Sequence, residues 1–145
     1  MITPFNVIET TPLNDMSGVD INKTIEVKFN QDLNTSTISD NIFLLKNSDD
    51  IEFDRENFDY SDFEKVKVKI SYDNKIVELK SINQLEKNTE YIIYANSNIK
   101  NSIDDFLEKE LISNFKTSHN HQYKRPKIIS PEYGQVLRKE KLKVE

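Results

Sequence analysis

Hydrophobic residues recur along this chain with a period of two. Ile25, Val27 and Phe29 alternate with Thr24, Glu26, Lys28 and Asn30, the mark of a strand with one buried face. Val66, Val68, Ile70 and Tyr72 alternate with Lys67, Lys69 and Ser71 in the same way. In the run 91–94, Tyr91 and Ile93 share one face and Ile92 and Tyr94 the other, which predicts a strand covered on both sides. The continuous run Ile42-Phe43-Leu44-Leu45 suits a buried strand, and shorter candidates lie at 5–8, 76–79 and 112–115.

Turn residues separate these runs: Asn14-Asp15 with Ser17-Gly18, Asn47-Ser48-Asp49-Asp50, Asp73-Asn74, Asn83 and Asn96-Ser97-Asn98. With only two glycines, Asn and Asp must fill most positions of positive φ. About seven short strands spaced by turns predict an all-β antiparallel sandwich. One stretch, 35–41, is open to a single helical turn capped by Ser36 or Thr37. The acidic, aromatic segment 54–65 reads as an insertion or an irregular hairpin.

The polar run Ser118-His119-Asn120-His121-Gln122 divides the chain. After it the pattern starts again: Ile8, Pro12, Val19, Ile25 and Val27 are echoed by Ile128 or Ile129, Pro131, Val136, Leu142 and Val144. The organisation expected is a sandwich over 1–118, a linker over 119–126, and over 127–145 the start of a second similar domain or a strand-exchange tail. Two strands alone are marginal in water, so 123–145 is expected to be ordered only by a continuation of the chain or by a neighbouring subunit's sheet edge.

Several motifs, in order, resemble the bacterial Ig-like domains named for the S-layer protein SbsA. Pro12-Leu13-Asn14-Asp15 with Val19 matches their opening, and the run from Ile25 to Leu33 matches the next strand and its exit. Leu85-Glu86-Lys87-Asn88-Thr89-Glu90-Tyr91, Ile99-Lys100-Asn101 and Phe115-Lys116-Thr117 match the remaining elements. The likeness spans roughly 7–118. It departs at Asp104-Asp105, where a glycine is usual, and in the length of 54–65. The resemblance implies an immunoglobulin-like β-sandwich of structural or adhesive use. Tyr91 then falls where a tyrosine corner would be, its hydroxyl bonded to backbone upstream, the alternative being one more strand aromatic.

Composition narrows the chemistry. The chain has no cysteine, which removes disulfides, zinc thiolates and thiol nucleophiles, and two glycines cannot build a phosphate-cradling loop. A net charge of −5 argues against a nucleic-acid surface. No apolar run reaches the roughly 18 residues of a membrane span, and Ile2, Val7 and Ile8 are too scattered for a signal peptide. The expectation is a soluble, non-enzymatic protein without cofactor. His119 and His121 have spacing for zinc but no third ligand nearby, so a solvated linker is preferred.

Four aspartates, Asp49, Asp50, Asp104 and Asp105, are the candidates for calcium, weighed against an acidic surface. Phe53, Phe58, Tyr60 and Phe63 are candidate interaction residues for a sugar or a neighbouring subunit, or else a satellite core over one end of the sandwich. Arg138 and Lys141 are candidates for docking on an acidic partner. The function expected is a module of a phage virion, in its tail, baseplate or surface appendage. The alternatives are a spacer or adhesin domain of a bacterial surface protein, or an accessory carbohydrate-binding domain of a secreted enzyme. Partners would then be other subunits of an assembly, or a cell-surface glycan.

Overall fold

Ile25, Val27 and Phe29 all point inward and are fully buried, while Glu26 and Lys28 between them face solvent. The computed structural model that shows this describes residues 3–48 and 51–119. Nine strands form two sheets packed face to face: β1 (Val7–Thr11), β2 (Met16–Val19), β3 (Ile25–Phe29), β4 (Ile42–Lys46), β5 (Glu64–Lys65), β6 (Val68–Tyr72), β7 (Ile76–Ser81), β8 (Glu90–Ala95) and β9 (Leu111–Thr117). One sheet has the order β1-β3-β7-β6 and the other β2-β9-β8-β4-β5. This is the expected sandwich.

All pairs are antiparallel except β2 with β9, which is parallel. The exception arises because the first strand is split between the sheets. β1 pairs with β3, the chain crosses at the cis bond Thr11–Pro12, and β2 then runs beside the last strand. The alternation in the sequence does not reveal β2, because Met16-Ser17-Gly18-Val19 reads as a turn cluster; only Val19 is buried. Asp15 and Gly18 both take positive φ, at 63° and 68°. Asn88 and Asp104 do the same, at 50° and 66°, so Asp and Asn take the left-handed positions as expected. The turn at Thr35–Thr37 is a 3₁₀ helix capped by Asn34, whose side chain accepts the Ser36 N–H, rather than by Ser36 or Thr37.

The core lies between the sheets and takes Phe5, Val27, Phe29, Leu44, Val77, Leu79, Tyr91, Ile93 and Phe115 among others. Leu45, Ile92 and Tyr94 point the other way and are buried too, in a second cluster on the outer face of the five-stranded sheet. β8 is therefore covered on both sides, as its run of apolar residues predicts. Tyr91 makes the expected corner: its hydroxyl oxygen accepts the Glu86 N–H at 2.8 Å while its ring stacks on Phe115 at 5.6 Å.

The two ends of the sandwich are distinct. Thr3 and Pro4 accept hydrogen bonds from Gln31 and Asn30 at one pole, and Ser118 meets Val19 and Asn88 at the other. Chain entry and exit are thus at opposite ends of the domain.

Candidate functional surfaces

The segment 54–65 folds as a flap over the outer face of the five-stranded sheet, not over one end of the sandwich. It consists of two 3₁₀ turns, Arg55–Asn57 and Tyr60–Asp62, leading into β5. Each turn starts on an aspartate: Asp54 accepts the Glu56 N–H and Asp59 the Ser61 N–H, both at 3.0 Å. The Asn57 side chain, then the Glu56 N–H, hold the Asp54 carboxyl below the usual carboxylate range. Asp59 is lowered likewise by the Ser61 hydroxyl and then its N–H.

These turns bring Phe53, Phe58 and Phe63 down onto Leu45, Ile92 and Tyr94, where they are half-buried. Phe58 packs on Phe63 at 5.5 Å and on Tyr94 at 5.1 Å. Tyr60 is the exposed member, with 39% of its surface accessible. It stacks on Tyr94 at 5.4 Å and Phe43 at 5.7 Å, and the Lys65 ammonium lies 4.6 Å over Phe43 and 5.4 Å over Tyr60. The four candidate aromatics are thus joined into one cluster, Tyr60 reaching the three phenylalanines through Tyr94.

Two residues that the sequence did not single out organise the flap. Besides Lys65, Arg55 lies 5.0 Å over the Phe53 ring and reaches across to β9. Its Nε donates to the Ile112 carbonyl at 3.2 Å, and its Nη2 donates to the Asn114 side chain at 2.9 Å and to Asn14 at 2.6 Å. The available signal was a lone arginine within an acidic, aromatic stretch. The phenol of Tyr94 donates to Glu110 at 2.8 Å, and burial, then that carboxylate, push its pKa above the ordinary tyrosine range.

Asp104 sits at the entry pole, where its carboxylate accepts from the Asn34 side chain at 2.8 Å, and Asp105 follows it in the same loop. Asp49 and Asp50 lie outside the described residues. Among the described residues no three His, Asp or Glu side chains come together as a metal site. His119 is exposed at the end of the described chain; His121, Arg138 and Lys141 lie outside it.

Of several surface grooves, two flank the split first strand. One, of about 530 Å³, runs between β1 and the start of β9, with Ile8, Leu111 and Ile112 on its walls. The other, of about 250 Å³, is lined by Pro12, Leu13, Met16, Gly18 and Val19 beside the chain exit.

In known structures, the same fold occurs in domains 1–6 of the surface layer protein SbsC, with a TM-score of 0.51, 14% identity and coverage of 80% of this chain. It occurs also in CopC from Methylosinus trichosporium OB3b, with a TM-score of 0.58, 12% identity and coverage of 82% of this chain and 99% of that one. The LD transpeptidase LdtMt1 matches at a TM-score of 0.50 and 12% identity over 81% of this chain and 41% of its own. This chain spans 14% of the SbsC structure, and at these identities the likeness is one of fold. No curated protein sequence is significantly similar. The model of the bacterial Ig-like domain matches residues 1–118, the sandwich with its split first strand, its tyrosine corner and its buried Phe115, and the chain belongs to that family.

Proposed function

We propose that the domain is a non-catalytic, load-bearing spacer in an extracellular structural protein. The observation that carries this reading is the placement of its first and last strands. The chain enters at one pole and leaves at the other, and β2 lies parallel to β9. Asp15 N–H bonds the Asn114 carbonyl at 2.7 Å, and Ser118 N–H bonds the Val19 carbonyl at 2.9 Å. Tension between the two ends draws β2 and β9 past each other in shear. Their hydrogen bonds are then loaded together instead of opening one by one, which raises the barrier to forced unfolding.

The surfaces agree with such a role. The carboxylates with lowered pKa are engaged as turn caps, and the aromatic cluster packs as a second core. The likeness to SbsC supports a place in a cell-surface assembly. A virion appendage would ask the same of the module, and the shear geometry serves either one.

Single-molecule pulling tests the proposal. Traction through residues 3 and 119 should require clearly higher force than traction through 3 and 98, which both lie at the entry pole and unzip the sheets. Equal forces in the two geometries would overturn it.

A further inference from the structure

We infer that the apolar ledge on β2 is the seat of the chain's own segment 123–129, which locks the domain to whatever follows it. The ledge is the 250 Å³ groove formed by Thr11, Pro12, Leu13, Met16, Gly18 and Val19. Leu13, in the turn that leads into β2, is 60% exposed, and Met16, at the start of that short edge strand, 46%, high values for two large apolar residues on one groove. Gly18 adds to the opening: a Cβ there would meet nothing within 4 Å. On its other side β2 is paired to β9, so the ledge faces outward from the edge of the five-stranded sheet.

The occupant follows from where the chain goes. Ser118 N–H bonds the Val19 carbonyl, so the chain leaves the sandwich directly beside the ledge. The next apolar residues are Tyr123, Pro126, Ile128 and Ile129. Tyr123 is five positions past Ser118, a reach of up to ~17 Å, and β2 is roughly 13 Å long, so a segment returning along it reaches its whole length.

Charge favours the same contact. Residues 120–145 hold seven Lys and Arg against three Glu, whereas 1–119 hold thirteen against twenty-two Asp and Glu. Lys124, Arg125 and Lys127 alternate with the apolar residues of the segment, and Asp15 and Asp20 flank β2, with Lys23 the one cation on the ledge. The apolar residues cover Leu13 and Met16, and the basic ones lie toward the two aspartates. The seat does not depend on the load-bearing role: a domain can bear tension with or without it.

The protein is well suited to the test, having no cysteine and only two methionines, Met1 and Met16. The full chain is labelled with ¹³C at the methionine methyls, and a nitroxide is attached at Ser130→Cys. The Met16 signal should lose more than half its intensity relative to the reduced label, with Met1 as reference. A nitroxide at Tyr72→Cys, at the far edge of the other sheet, should leave it intact. Leu13→Asp should restore most of the Met16 signal in the Ser130→Cys protein. An unattenuated Met16 signal would overturn the inference. So would attenuation that appears equally when spin-labelled and isotope-labelled molecules are mixed, since the ledge would then hold another copy's tail.

Discussion

Arg55 donates to the side-chain oxygen of Asn14 at 2.6 Å, and this contact fastens the flap to the turn between β1 and β2. The same Asn14 oxygen accepts the Asn114 N–H at 3.1 Å, so one side chain joins the flap, the split first strand and the last strand. The position explains the need. β2 pairs with β9 only from Phe115 onward, leaving Leu111 to Ser113 without a neighbouring strand on that side. Unpaired edges invite other strands, and the guanidinium occupies the outward carbonyl of Ile112. One arginine thus closes the outer core and covers the open part of the edge.

Arg55→Ala should therefore loosen the flap before the sandwich. Hydrogen exchange at 53–63 is expected to quicken well before that of β3 or β8, with a stability loss of about 1–2 kcal/mol from the lost charge-assisted bonds. Arg55→Lys should recover little, because an ammonium cannot serve Ile112, Asn114 and Asn14 with one fork. Uniform acceleration across all strands would show that the flap and the sandwich are a single unit.

The period-two runs made most of the sandwich legible in the sequence. The strands at Ile25–Phe29, Ile42–Lys46 and Glu90–Ala95 each carry apolar residues where a strand with one or two buried faces requires them. β2 escaped because it buries little beyond Val19 and is held by parallel backbone bonds, which leave no alternation. The aromatic flap was visible as a group but not its seat. Nothing in the spacing of Phe53, Phe58, Tyr60 and Phe63 tells that Ile92 and Tyr94 receive them, although the outward apolar face of β8 called for a cover. Arg55 stood out only as a lone arginine in an acidic, aromatic stretch, and its contacts could not be read, because its partners are 41 to 59 positions away in the sequence.

Tyr91→Phe isolates the corner from the core. The ring still fills the space against Phe115, but the Glu86 N–H loses its acceptor. The expected cost is about 1–2 kcal/mol in chemical denaturation, with an unchanged denaturant slope. A variant as stable as the parent would mean that water replaces the hydroxyl at no cost.

Acid should act first on the flap. The carboxyls of Asp54 and Asp59 are held below their ordinary range by the donors they cap. The unfolded chain takes up these protons at higher pH than the folded one does. Their contribution is thus present above about pH 4 and is lost as pH falls through the lowered folded values. Flap exchange should rise in this window, and the double variant Asp54→Asn with Asp59→Asn should reduce that rise. A flap indifferent to acid in the parent would sink the capping argument.

Alkali should act on the same cluster with the opposite sign. Burial, and then the Glu110 carboxylate, keep the Tyr94 phenol protonated beyond the usual tyrosine range. The folded protein holds that proton more tightly than the unfolded chain, so the stabilisation is complete below roughly pH 10 and is lost as pH rises through the higher folded value. Tyr91, raised mainly by burial, adds to the same trend. Denaturation measured from neutral pH upward should show stability falling beyond pH ~10. Tyr94→Phe should start slightly lower, having lost the bond to Glu110, and then fall less steeply, because one titrating group is gone. Glu110→Gln should also flatten the fall while keeping the ring stack with Phe58 and Tyr60 intact. If both variants track the parent through the alkaline range, Tyr94 is not the group that couples the outer core to pH.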